Sequence, residues 1–200
     1  MKIIGITGSS GSGKTTLSQI LNERKDVKLI DADKVVKEMS IPGTEYLKEI
    51  EKSFGKEILL EDGNLNRKLL GKKIYNEKEA LEKLNKLTFK YVVNEILNRI
   101  KKSKEEQIQF LIIDAPLLFE AGLEKNCDYV VVLVAKEELK IQRICERDNI
   151  DEQTARSRLR IQHQDSYYTE KADYVIENNE NCNLKNEINV LLGMLVDGRF

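Results

Sequence analysis

Histidine is almost missing from this 200-residue chain: His163 is the only one. A Ser/His/Asp triad or a multi-histidine metal site therefore has little to be built from. Cysteine is scarce too. Cys127, Cys145 and Cys182 are odd in number and show neither CxxC nor Cys/His metal spacing, which reads as reduced, buried thiols of a cytosolic protein. Net charge is nearly absent, since 33 Lys+Arg against 34 Asp+Glu leave a formal charge of -1. That argues against a globally basic nucleic-acid binder. No apolar run approaches the ~20 residues that span a bilayer. The opening MKIIGITGSS turns glycine-rich too soon to hold a secretory h-region. The expectation is a cytoplasmic protein with no membrane or nucleic-acid partner. Internal repeats and low-complexity linkers are also missing, while 40% hydrophobic and 34% charged residues are enough to bury a core in one compact domain.

What is present has a clear order. Five short runs rich in Ile and Val (2–7, 27–31, 110–114, 129–134 and 174–177) are bounded by Gly, Asp or Asn. Their continuous apolar character predicts strands covered on both faces. Helical spacing fills the intervals: Leu17, Ile20 and Leu21 share one face, Leu81, Leu84 and Leu87 another, and Leu139, Ile141 and Ile144 form a looser stripe. Strands alternating with helices predict an α/β fold with a parallel sheet. A polar helical stretch, about 43–104, is much longer than one crossover needs. It reads as a helical insertion over the C-terminal edge of the sheet, where α/β proteins bind ligands.

The strongest chemical signal is Gly8-Ser9-Ser10-Gly11-Ser12-Gly13-Lys14-Thr15, a full GxxxxGK[ST] match placed after an apolar strand and before a helical pattern. Its glycines let the backbone wrap a phosphate chain, with N–H groups converging on the anion at a helix N-terminus. Lys14 can reach the β- and γ-phosphates, and the Thr15 hydroxyl can ligate Mg²⁺. A GTPase would carry an NKxD element, but Asn85-Lys86 is followed by Leu87-Thr88.

Three further sites surround this signal. Asp31-Ala32-Asp33 closes the second strand. A carboxylate there can accept the proton of an attacking hydroxyl, or cap the next helix. The residues alone support both roles, which the two aspartates can divide with Asp33 facing the site. Phe110 to Asp114 is an apolar strand ending in an acid, the Walker-B pattern, and Asp114 can hold a Mg²⁺-bound water. Strands also end in Asp for turn reasons. Five of the nine arginines, Arg143, Arg147, Arg156, Arg158 and Arg160, fall within 18 residues. Arg143 and Arg147, spaced i, i+4, suit a lid over bound phosphates because a guanidinium grips phosphate oxygens as a fork. The alternative is a solvated helix face paired with Glu146, Asp148, Asp151 and Glu152.

Together these residues resemble the dephospho-CoA kinase family over about 3–178. The resemblance rests on the phosphate loop, Asp31-Ala32-Asp33, Phe54-Gly55, and Asp62-Gly63 followed by Arg67. It continues through Pro116-Leu117-Leu118-Phe119-Glu120, Arg143 with Arg147-Asp148, Gln162, and Ala172-Asp173-Tyr174-Val175-Ile176 before Asn178. It implies a nucleotide-kinase-like P-loop NTPase: one domain over 1–200 with a five-stranded parallel sheet, an acceptor-binding insertion about 43–104 and an arginine-bearing lid about 139–165. It implies ATP-dependent, Mg²⁺-assisted phosphorylation of the ribose 3′-hydroxyl of dephospho-CoA, giving coenzyme A and ADP. In that reading Gly11, Ser12, Gly13, Lys14, Thr15 and Thr16 bind ATP, and Thr15 and Asp114 serve the metal. Lys14, Asp33, Arg143 and Arg147 are catalytic. The sequence does not report the oligomeric state, with a monomer slightly favoured. Phe89-Lys90 and Asn66 stand where many members have His-Pro and Asp. A nucleoside or nucleoside-monophosphate kinase would share the loop, the acid and the arginines. A nucleotide-sensing module without chemistry is the alternative outside enzymes, and the joint presence of Lys14, Thr15 and Asp33 argues against it.

Overall fold

A computed structural model describes residues 1–74 and 77–198. The five strands have the predicted bounds: β1 (Lys2–Thr7), β2 (Val27–Asp31), β3 (Phe110–Asp114), β4 (Tyr129–Val134) and β5 (Tyr174–Glu177). They form one parallel sheet in the order β2-β3-β1-β4-β5. β1 is central, with Ile4 opposite both Ile112 of β3 and Tyr129 of β4. A parallel sheet brings the C-terminal ends of its strands to one edge, and crossover helices then cover its faces.

Helix α1 (Lys14–Asn22) follows β1, and α2 (Ala32–Met39) follows β2. Then come α3 (Glu45–Phe54), α4 (Arg67–Ile74) and α5 (Lys78–Ser103). After β4 lie α6 (Glu137–Asp148), α7 (Glu152–Arg160) and α8 (Asp165–Thr169), and α9 (Leu184–Val196) follows β5.

The chain divides into two compact units, Met1–Ile30 with the residues from Glu106 onward, and Asp31–Glu105. The first unit carries most of the sheet. Its core joins Ile4 and Ile6 of β1, Phe110 and Ile112 of β3, Val131 and Leu133 of β4 and Ile176 of β5 to Leu17 and Leu21 of α1. Ile188, Leu191, Leu192 and Leu195 of α9 complete it. The second unit is helical and has its own core of Tyr46, Ile50, Phe54, Ile58 and Leu70, packed by Leu84, Leu87 and Tyr91. The expected stripe on α5 is shifted. Leu84 and Leu87 pack inward, but Leu81 is 42% exposed, and burial passes down the helix to Val92, Ile96 and Ile100. Asn66, an expected departure, accepts the Leu69 N–H at 3.0 Å and so caps the start of α4. Asp would satisfy the same donor equally well.

Candidate active site

The loop between β1 and α1 turns sharply enough to need glycine. Gly11 and Gly13 have φ of 78° and 106°, the left-handed region that side chains disfavour. Space closes around them as well. A Cβ on Gly11 would sit 2.5 Å from the Lys140 carbonyl oxygen, and one on Gly13 would sit 2.1 Å from Asn178 Nδ2.

The helix that follows is left open at its start. Gly13 is its N-cap and offers no side chain, and no acid stands in its first turn. The other helices are treated differently. Asp31, Thr44, Asp151 and Asn183 cap α2, α3, α7 and α9 through their side chains, and Asn66 does so for α4. Helices α5, α6 and α8 lack a capping side chain but have acid in the first turn. Among the described helices, α1 alone has neither. Its first N–H groups and the positive end of its dipole suit an external anion.

Side chains from far along the chain hold the outer side of the loop. Arg143 Nη1 donates to the Gly11 carbonyl at 3.1 Å and Nη2 to the Asn178 carbonyl at 3.0 Å. Asn178 Nδ2 donates to the Ser12 carbonyl at 2.8 Å. The Ser10 N–H donates to Gln162 Oε1 at 2.9 Å. Lys140 Nζ is paired with Asp165 at 2.9 Å, and the Ser9 hydroxyl donates to Asp165 Oδ1 at 3.0 Å. With carbonyls 11 and 12 turned outward and bonded, the loop's shape is set by groups other than its ligand.

Lys14 lies along the loop, donating to the carbonyls of Gly8 and Ser9 at 2.5 and 3.1 Å. Thr15 and Thr16 are exposed in the first turn of α1. Asp114, at the end of β3, accepts from the Ser18 hydroxyl at 2.5 Å. Ser18 stands one turn beyond Thr15 on α1, so the Walker-B acid is tied to the helix that carries the threonine. Among the described residues no three His, Cys, Asp or Glu side chains form a metal cage. The donor set fits Mg²⁺ arriving with a triphosphate, which takes one or two protein oxygens and keeps its waters.

The two aspartates after β2 differ. Asp31 is the N-cap of α2 and accepts the Lys34 N–H at 2.9 Å. Asp33 lies in the first helical turn and is exposed.

The arginines also divide. Arg143 is half-buried and its fork is occupied by two carbonyls. Arg147 is exposed, holds Asp148 through two bonds of 2.8 and 2.9 Å, and reaches the Ser10 hydroxyl at 3.4 Å. The Arg147 hydrogen bonds, joined by the nearby charge of Arg158, hold Asp148 below the usual carboxylate range. Arg158 contacts Asp148 at 2.5 Å, while Arg156 bonds to Glu152 and Glu137. The last two arginines follow the solvated-face reading.

His163 stacks on Tyr167 with ring centroids 3.7 Å apart, and its Nε2 lies 3.5 Å from Glu120. The three cysteines are free and half-buried, and burial pushes the Cys127 thiol up to about 12. Lys140 and Asp165 had no place in the sequence reading. The available signal was a lysine interrupting the apolar stripe Leu139, Ile141 and Ile144, at i, i+3 and i+7 with Arg143 and Arg147.

Comparison with known proteins gives one consistent answer. A family model described as Dephospho-CoA kinase matches residues 2–183. The dephospho-CoA kinase of Listeria innocua is 40% identical over 179 residues, covering 90% of this chain and 89% of the relative. That of Fusobacterium nucleatum is 40% identical, covering 90% of each. The solved dephospho-CoA kinase of Campylobacter jejuni aligns over 100% of both chains with a TM-score of 0.73 and 28% identity. A shikimate kinase from Acinetobacter baumannii, at 19% identity and a TM-score of 0.55 over 100% of this chain and 94% of its own, shares the fold.

Proposed function

The chain belongs to the dephospho-CoA kinase family, and we propose that the residues described above divide its reaction as follows. ATP supplies the γ-phosphoryl group, and the ribose 3′-hydroxyl of dephospho-CoA receives it, giving coenzyme A and ADP. Gly11, Ser12, Gly13, Lys14, Thr15 and Thr16 take the β- and γ-phosphates. The loop N–H groups and the open end of α1 meet charge that builds on the transferring group, the usual source of catalysis in phosphoryl transfer. Lys14 adds a mobile cation that exchanges two loop carbonyls for phosphate oxygens.

Asp33 is the base. It lies in the first turn of α2 and is exposed, and its carboxylate takes the 3′-hydroxyl proton as the oxygen attacks phosphorus. Arg143 keeps the loop in its binding shape and places positive charge beside it. Arg147, exposed and bonded to Asp148 and Ser10, can turn its fork to the triphosphate. Thr15 directly, and Asp114 through a water, would hold Mg²⁺, which when bound offsets the charge of the β- and γ-oxygens. The insertion at about 43–104 serves the acceptor, and the segment at about 139–165 serves the nucleotide. No described helix is long and apolar enough to cross a membrane.

The observation that carries this reading is the N-terminus of α1, glycine-capped and without acid, directly after a glycine loop shaped from outside. Mass spectrometry of products after incubation with dephospho-CoA, ATP and Mg²⁺ tests it. The expected product is coenzyme A, with ATP consumed only when the acceptor is present. Phosphorylation of nucleosides or monophosphates instead, or acceptor-independent loss of ATP, would overturn it.

A further inference from the structure

The geometry points to a second lysine in the machinery: we propose that Lys140, locked to Asp165, is a positioning residue for the phosphate-binding loop. This rests on the loop's being the ATP site. Lys140 lies in the first turn of α6 and is only 8% exposed. Its Nζ stands 2.9 and 3.0 Å from the two carboxylate oxygens of Asp165 and 3.4 Å from the Ser9 hydroxyl. Ser9, 3% exposed, donates its hydroxyl to the same carboxylate at 3.0 Å. Its carbonyl accepts from Lys14 at 3.1 Å. One loop residue is thus held at its side chain by the Lys140–Asp165 pair and at its backbone by the lysine that meets the phosphates.

Lys140 touches the loop a second time through its own backbone, whose carbonyl is the wall that excludes a Cβ at Gly11. Asp165 is reinforced in the same place, because Gln162, three residues earlier, takes the Ser10 N–H. Residues 9, 10 and 11 are therefore each tied to α6 or to the segment that joins α7 and α8.

Stability alone does not account for a buried ammonium here. Taking the Lys140 ammonium largely out of water, beside an Asp165 side chain that keeps 30% of its exposure, offsets much of their attraction, and an apolar pair of similar volume is often as stable or more so. The exposed Lys48–Glu45 pair on α3, 60% and 73% exposed at its side chains, carries no such desolvation. What the pair supplies is direction. Two carboxylate oxygens and one hydroxyl leave the Ser9 side chain a single arrangement, and the backbone that presents Lys14 follows from it.

The test uses the full chain and three variants, Lys140→Met, Ser9→Ala and the double Lys140→Met/Asp165→Leu. Steady-state kinetics in both substrates and melting temperature are measured on each. For Lys140→Met the KM for ATP should rise roughly 10- to 100-fold, the scale of a small misplacement at a reacting site. The KM for dephospho-CoA should stay within about twofold, since uniform acceptor binding is untouched. The double variant separates positioning from structure. An apolar pair restores the melting temperature while the KM for ATP stays raised. Ser9→Ala, which removes no charge, should raise the KM for ATP several-fold with little change in melting, and it carries the test if Lys140→Met does not fold. The proposal fails if the double variant restores ATP affinity together with stability, if both KM values rise in parallel, or if the single variants leave the KM for ATP unchanged. Lys14→Ala distinguishes the two levels. Full turnover in that variant would sink the ATP-site reading itself, whereas an inactive Lys14→Ala beside a normal Lys140→Met removes only the positioning role.

Discussion

Two helices leave the ends of parallel strands in this protein, and they begin in opposite ways. Helix α2 starts with Asp31, whose carboxylate accepts the Lys34 N–H, and has Asp33 in its first turn. Its donors and its dipole are answered from within the chain. Helix α1 starts with Gly13 and has no acid in its first turn. Its loop carbonyls are instead turned outward to Arg143 and Asn178. The contrast teaches what each end is for. A helix satisfied by its own cap is a structural element, while one whose loop is shaped from behind and whose front is left open is prepared for an anion. It also separates two aspartates that look equivalent in the sequence, because Asp31 is the extended cap that accepts the Lys34 N–H and Asp33 lies within the first helical turn.

The largest expected effect comes from the acid beside the α2 cap. Asp33→Asn keeps the shape but removes the base, so turnover should fall about 10²–10⁴-fold. Melting temperature and ATP affinity should hardly move, since Asp31 still caps the helix. Retained turnover would end the catalytic assignment.

On the open helix, Lys14→Ala should lower turnover on the order of 10²–10³-fold, the usual loss of one electrostatic stabiliser, with the fold intact by circular dichroism. A folded, active variant would contradict the anion-site reading of α1.

Making α1 resemble α2 sharpens the comparison further. Thr16→Glu puts an acid into the exposed first turn, where it should stabilise the helix by about 0.3–1 kcal/mol while repelling the triphosphate. The expected signature is a higher melting temperature with a KM for ATP raised roughly tenfold. Unchanged ATP affinity would show that the phosphates do not lie at this end.

The smallest effect belongs to the cap itself. Asp31→Ala should cost about 1 kcal/mol of stability in chemical denaturation, and Asp31→Asn almost none. Equal losses in both would mean that charge rather than the Lys34 hydrogen bond holds the end of α2.

Much of this was legible along the chain because it depends on neighbours. The strand bounds follow from short apolar runs ended by Asp, Gly or Asn, and all five strands formed where those runs stand. The phosphate loop is readable because glycine spacing, a lysine and a hydroxyl residue must be contiguous to wrap an anion. The α5 stripe was less legible. In a helix of 26 residues the buried face drifts with respect to a simple spacing, so Leu81 turned outward while Val92, Ile96 and Ile100 turned in. The role of Asp31 was ambiguous for a different reason. Both aspartates have the right chemistry for a cap, and only the backbone geometry (Asp31 extended, Asp33 helical) chooses between them.

By itself, then, the sequence determined the parallel α/β plan and the anion-binding loop, since strand burial, turn glycines and the GKT segment are local chemistry. Only the tertiary structure decided what holds that loop in shape. Asn178 meets Ser12 across 166 residues, Asp165 meets Ser9 across 156 and Lys140 across only 25, and Arg143 meets Gly11 across 132. Such meetings follow from sheet order. β4 lies beside β1 and β5 beside β4, so what extends from their C-terminal ends arrives at the loop that leaves β1. Neither composition nor spacing encodes that order locally. It is chosen by which apolar faces pack together, and the lysine buried among them takes its role from where it lands.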